Sequence, residues 1–162
     1  KRYKGKEDLF CAVVEQTVKD LYEVAHSRGD RDPAAMSDAE LIKAWDMDGP
    51  DMMWWMRFLY DRHDDFVLLL SRSDGTRYAN FQHDWVAVLT NATSAFLAEA
   101  QRRGICRTDV GPEELHILLS AFWTTIYEPF IHGFDWEQIE QHCRIVCKLF
   151  DWHKALEFHV EK

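Results

Sequence analysis

The sequence is poor in the residues that build turns: 162 residues hold seven glycines and four prolines, too few for a turn-rich β-sandwich or barrel. Scarce glycine also disfavours loops that cradle nucleotide phosphates, and the chain has no P-loop, dinucleotide fingerprint or serine elbow. Its four cysteines (Cys11, Cys106, Cys143 and Cys147) form no Cys-x-x-Cys pair, and no secretory leader precedes them. Reduced thiols in a cytoplasm are therefore expected. The strongly apolar runs, such as residues 66–70, are far too short to cross a bilayer, so a soluble protein with no membrane partner is expected. Positive charge is scarce too: 19 basic residues face 28 acidic ones, a net charge of −9, and the body of the chain is a poor electrostatic match for a phosphate backbone. The imbalance is local. Residues 1–6 hold four basic side chains (Lys1, Arg2, Lys4, Lys6), whereas residues 30–65 hold ten acidic and four basic ones.

Apolar residues are abundant, at 47 % of the chain, and include ten Phe, seven Trp and five Tyr. That is material for one domain with a sizeable core. Its spacing is helical. Residues 8–26 place Leu9, Phe10, Val13, Val14, Val18, Leu21, Tyr22 and Ala25 on one stripe, and Gly29 ends it. Ser37 and Glu40 make a capping box that opens a short helix to residue 45. Gly49-Pro50 starts a helix to about residue 62, continued over 64–71 after a bend near His63. A turn at 73–76 precedes a long helix over 80–103, with Phe81, Trp85, Val88, Leu89, Ala92, Phe96 and Leu97 inward and Gly104 capping its end. Gly111-Pro112-Glu113-Glu114 opens a helix to His132, and Asp135 caps a last one reaching about Phe158. With no alternating strand and no internal repeat, the fold class is an all-α helical bundle.

The two final helices are apolar on more than one face: Leu115, Leu118, Leu119, Phe122 and Ile126 form a stripe that Trp123, Tyr127, Phe130 and Ile131 widen. Such helices need cover on both sides. If a second copy supplies one side, the result is a two-fold dimer built as a four-helix bundle, with Leu119, Phe122, Ile126, Ile139, Val146 and Phe150 at its interface.

The opening Tyr3-Lys4-Gly5-Lys6-Glu7-Asp8-Leu9-Phe10 resembles the segment that closes the DNA-binding domain of TetR/AcrR-family repressors, and the order of helices is similar to theirs. The stretch from His116 to His132, with Ser120, Phe122 and Glu128, is similar to the penultimate helix of some members. The resemblance implies that residues 1–5 are a remnant of the DNA-binding domain and residues 6–162 the ligand-binding and dimerisation domain of a cytoplasmic bacterial transcription regulator. It further implies a homodimer whose absent helix-turn-helix would contact operator DNA only in the intact protein. Lys6 then matches the lysine that approaches phosphate at a helix N-terminus, while its ordinary reading is a solvated surface lysine. The family's pocket position brings together Trp55, Met56, Leu59, Phe66, Trp85, Leu89, Trp123, Tyr127 and Glu128. Large apolar walls with few polar handles suit a small apolar or aromatic effector, and Glu128 would favour one with a cationic or hydrogen-bond-donating group. No cofactor and no enzymatic activity are implied.

The competing chemistry is metal-dependent. Glu23-x-x-His26 and Glu113-x-x-His116 match the ligand spacing of di-iron helical-bundle enzymes, but Glu23 and His26 lie where a helix ends and Glu113 at a first turn, away from a bundle's middle. Cys143 and Cys147 share a helix face beside His142 and could hold zinc or sense oxidants. They also continue the apolar stripe of Ile139, Val146 and Phe150, and core packing is the favoured reading. Glu128 and His132, one turn apart, are either an internal ion pair or a ligand contact, and Pro129 between them frees a backbone carbonyl nearby. The run Met52-Met53-Trp54-Trp55-Met56 is either an adaptable pocket wall or core plus a subunit contact.

Overall fold

The computed structural model describes residues 3–47 and 49–159. Among them every regular element is helical, and there is no strand. In chain order the helices are α1 (Lys6–Gly29), α2 (Asp38–Lys43), α3 (Gly49–Tyr60), α4 (His63–Arg72), α5 (Phe81–Arg102), α6 (Pro112–Ile131), α7 (Trp136–Leu149) and α8 (Trp152–Ala155), with a 3-10 turn at Pro33–Ala35. No helix among the described residues is long and apolar enough to cross a membrane.

The helix ends follow local chemistry. Ser37 and Glu40 form the expected capping box, and Asp135 forms a second with Gln138. Gly104 adopts φ +71°, and the Ile105 N–H donates to the Ala100 carbonyl at 3.1 Å, closing α5 with a left-handed cap. Gly133 (φ +69°) closes α6 in the same way through Phe134 N–H to Pro129 O at 2.9 Å. The last helix departs from expectation. It stops at Leu149, Phe150 leaves helical geometry (φ −102°, ψ 72°), and Asp151 accepts from the Lys154 N–H to start α8 afresh.

The core is assembled around α6. Helix α5 packs along it, α4 against both, and α1 across α4 and α5, while α7 lies chiefly on α3. On α1 the buried stripe is Cys11, Val14, Thr17, Val18, Leu21 and Ala25, whereas the predicted members Leu9 and Val13 face solvent because they lie off that face of the helix. On α5, Phe81, Trp85, Phe96 and Leu97 are buried as expected, but Val86, Thr90 and Ala100 also turn inward while Val88, Leu89 and Ala92 are only partly covered. Gly29 sits so close to α5 that a side-chain carbon there would meet the Ala92 methyl at 3.1 Å.

The cover for the broad apolar surface of α6 comes from the same chain. Its second side is closed by the segment after α7, where Phe150 and Trp152 lie 5.1 and 5.8 Å from Phe122. Leu119, Phe122, Ile126, Ile139 and Val146, expected at a dimer interface, are therefore buried in the chain's own core, and Phe150 is half-buried. The apolar side chains that α6 and α7 expose are instead Ile117, Ile131, Ile145 and Leu149.

Pro129 has no N–H to give the Thr125 carbonyl one turn earlier. His142 of α7 supplies the missing donor, with Nε2 2.6 Å from that oxygen, so the freed carbonyl becomes the point where α7 is fixed to α6. Arg103 plays a comparable part at the far end of α5. It donates to Glu99 on its own helix at 2.6 Å, to Asp38 at 2.9 Å and to the Met36 carbonyl at 2.7 Å, holding the loop before α2 in place.

Candidate functional site

Four of the nine residues expected around an effector meet in the interior. Trp123 of α6 lies 5.7 Å from Trp85 of α5, 6.1 Å from Phe66 of α4 and 5.7 Å from Tyr127. Trp85 in turn is in edge contact with Tyr22 of α1, at 5.6 Å, so the cluster reaches from α6 to α1. Burial, followed by the nearby charge of Asp84, raises the Tyr22 phenol above its ordinary pKa. Trp85 and Trp123 are 1 % and 4 % exposed, and neither indole N–H has a hydrogen-bond partner. Two unpaired buried donors side by side are unusual, since such a group carries the full desolvation penalty of an unmade bond.

The other expected members sit differently. Met56 and Leu59 are fully buried with Met52, at the i, i+4, i+7 spacing of one α3 face. Trp55 turns away from them. It forms an outer patch with Trp54 and Phe58, and the Arg28 guanidinium lies over both tryptophans at 4.8 and 5.3 Å. The Met-Trp run is thus divided between core and surface. Leu89 is only partly covered. Glu128 is turned outward and pairs with His132 at 3.1 Å, so the polar handles of the interior cluster are the indole donors and not a carboxylate.

A second aromatic centre lies where the chain end folds back. Trp45, just after α2, is 5.9 Å from Trp152 and 6.1 Å from Phe158. His153 Nε2 donates to the Ile42 carbonyl at 2.7 Å, and the Arg107 and His159 N–H groups bond the Leu156 and Ile105 carbonyls. These bonds strap residues 152–159 across α2 and the loop after α5. Beside them opens a cleft of about 480 Å³, which sequence reasoning missed because its walls come from chain segments a hundred residues apart.

The metal spacings do not converge. Glu23 and His26 are exposed on α1, and Glu113 is exposed at the start of α6. His116 Nδ1 is 3.1 Å from Thr90 Oγ1, whose own proton goes to the Val86 carbonyl, so His116 is the donor in that contact. Among the described residues no three His, Cys, Asp or Glu side chains are grouped to hold a metal ion. Cys143 is fully buried. Burial, with the adjacent Cys147 thiol adding to it, pushes its pKa up to about 12, which keeps it a neutral, packing thiol. Lys6 is exposed at the first residue of α1.

Comparisons with family models, with curated proteins and with solved structures find no match to this chain.

Proposed function

We propose that the chain is the effector-sensing domain of a TetR-like transcriptional repressor, in which a small apolar or aromatic molecule enters the helical core and alters the pose of α1. The observation that carries this reading is the pair of unpartnered indole N–H groups of Trp85 and Trp123, in aromatic surroundings that touch α1 through Tyr22. A flat ligand bearing hydrogen-bond acceptors satisfies both donors as it enters, which replaces the expectation of a cationic ligand drawn from Glu128. Entry must separate Trp85 from Trp123 or Tyr22, and the ligand shifts the population of α1 only as far as it prefers the opened arrangement. In the intact protein α1 would lead to the DNA-reading head, with Lys6 at the junction and release from the operator as the outcome. The dimer this requires would use the outward apolar residues Ile117, Ile145 and Leu149 in place of the buried ones first expected.

Coumarin, flat and acceptor-bearing, and naphthalene, flat without acceptors, test the reading. The indole resonances of Trp85 and Trp123 and the backbone amides of α1 should move saturably with coumarin and far less with naphthalene. Trp123→Ala should weaken coumarin binding by roughly 1 kcal/mol or more. Saturable binding that leaves the α1 amides unmoved defeats the sensing role. Light scattering that shows a monomer at micromolar concentration, unchanged by Leu149→Glu, defeats the dimer.

A further inference from the structure

The cleft beside the strapped chain end has a lining with a distinct chemical character. Its floor and walls are aromatic: Trp45, Phe150 and Trp152. Trp45 is 6 % exposed and its indole N–H, like those in the interior centre, has no acceptor. Two cations, Arg144 and Lys148, stand one turn apart on α7 and line the same cleft, and neither forms an ion pair among the described residues. Two carboxylates complete it. Asp151 is engaged as the N-cap of α8, accepting from the Lys154 N–H at 3.1 Å, while the Asp46 carboxylate has no hydrogen-bond or ion-pair partner among the described residues. His153 is engaged through Nε2 with the Ile42 carbonyl. The cleft thus carries two cations and two carboxylates, of which Asp46 has no partner among the described residues, while the Trp45 N–H is itself enclosed.

We infer that this cleft binds a flat aromatic carboxylate that also carries an amine, the chemistry of a free aromatic amino acid. The aromatic body packs on Phe150 and Trp152 beside the Trp45 ring, its carboxylate is neutralised by Arg144 and Lys148, and its ammonium faces Asp46. At about 480 Å³ the cleft lies within the usual range for small-molecule sites. A purely anionic ligand leaves Asp46 opposing it and a purely cationic one leaves both cations unmet, so the zwitterion is favoured over either. The site differs in place and in polarity from the interior cluster, and it stands whether or not that cluster takes an effector.

The experiment uses three probes that share one ring: L-tryptophan, indole-3-propionate, which lacks the amine, and tryptamine, which lacks the carboxylate. Binding to the described chain is measured by calorimetry and by the seven indole N–H resonances of isotope-labelled protein. The Trp45 resonance is identified by its loss in Trp45→Phe. L-tryptophan should move that resonance saturably while leaving Trp85 and Trp123 in place. Indole-3-propionate should bind about tenfold more weakly and tryptamine more weakly still, as expected when a charge-assisted contact is lost. Arg144→Gln with Lys148→Gln should remove the advantage of the carboxylate probes, and Asp46→Asn should bring L-tryptophan and indole-3-propionate to equal affinity. These exposed or rim substitutions keep the test valid if Trp45→Phe does not fold. The proposal is overturned if L-tryptophan at millimolar concentration leaves Trp45 unmoved, if the three probes bind alike, or if the double variant binds L-tryptophan undiminished. Movement of Trp85 and Trp123 with Trp45 silent would place the ligand in the interior centre instead.

Discussion

The interior centre at Trp85 and Trp123 and the outer centre at Trp45 both set aromatic rings around an unpartnered indole N–H, yet they differ in access and in charge. The first is enclosed by α1, α4, α5 and α6 and has no charged side chain in its ring contacts. The second is open on one side, next to Arg144 and Lys148. Identical residue types therefore make one centre enclosed by four helices and one flanked by a cleft, although all three indole N–H groups are themselves enclosed. The difference comes from how many helices surround the rings, and it underlies the two proposals: a neutral acceptor for the interior, a charged molecule for the cleft.

The largest expected effect compares the two centres directly. Trp123→Ala should lower stability by about 3–5 kcal/mol in denaturant unfolding, because the enclosed site cannot collapse or fill with water. Trp45→Ala should cost clearly less, since solvent reaches the space it vacates. Equal losses would show that the cleft is as sealed as the interior.

Next comes the bond that joins the two regions. His142→Ala leaves the Thr125 carbonyl without its donor and should cost about 1–3 kcal/mol. Adding Pro129→Ala restores a backbone N–H to that carbonyl, so the second substitution should recover part of the loss. Additive losses in the double variant would mean the carbonyl had not been the reason for the contact.

Gly133→Ala comes third. At φ +69° an alanine is strained by about 1 kcal/mol, and the displaced α7 should perturb the Trp45 resonance more than those of Trp85 and Trp123. A uniform perturbation would argue that the centres are not separable.

The smallest effect is on acid stability, because a single carboxyl carries it. Hydrogen bonds from Arg102 and Arg103 hold the Glu99 carboxyl down at about 2, against an ordinary value of 4.5. A depressed native pKa contributes stability that is complete above about 4.5 and is lost as pH falls toward about 2. Since Arg103 also ties down the loop that leads to Trp45, acid in that window should disturb the outer centre first, and Glu99→Gln should flatten the dependence.

Much of the fold is written in local signals. The Ser37–Glu40 and Asp135 caps and the terminal Gly104 are short-range chemistry, and each is found where the spacing put it. The break at Phe150 was missed because Ile139, Val146 and Phe150 continue a helical stripe, although Asp151 three residues before Lys154 is itself an N-cap signal. Periodicity also turned Trp85 inward, while its grouping with Phe66 and Trp123 came from the pocket position that the resemblance implied. It could not place Trp55 and Met56 correctly together, since neighbours on a helix point about 100° apart and only one can join the face of Met52 and Leu59. Nor could spacing decide which way Glu128 turns, which depends on what covers each side of α6. Trp45 was illegible for a simpler reason: the side chains that make it part of a cleft lie on α7 and beyond.

Helix α1 has one further consequence, a mechanical one. It is an unbroken rod of 24 residues, about 35 Å long, held along most of its length: Gly29 touches Ala92, Arg62 donates to Asp20 at 2.8 Å, and Leu21, Val18, Val14 and Cys11 are buried. Tyr22, which contacts Trp85, sits toward its far end, seven residues and so about 10 Å from Gly29. The geometry is that of a seated beam and not of a free arm: a displacement at Tyr22 reaches Lys6 only if the buried seats of Val18, Val14 and Cys11 and the Arg62–Asp20 bond shift with it, so α1 moves as a unit.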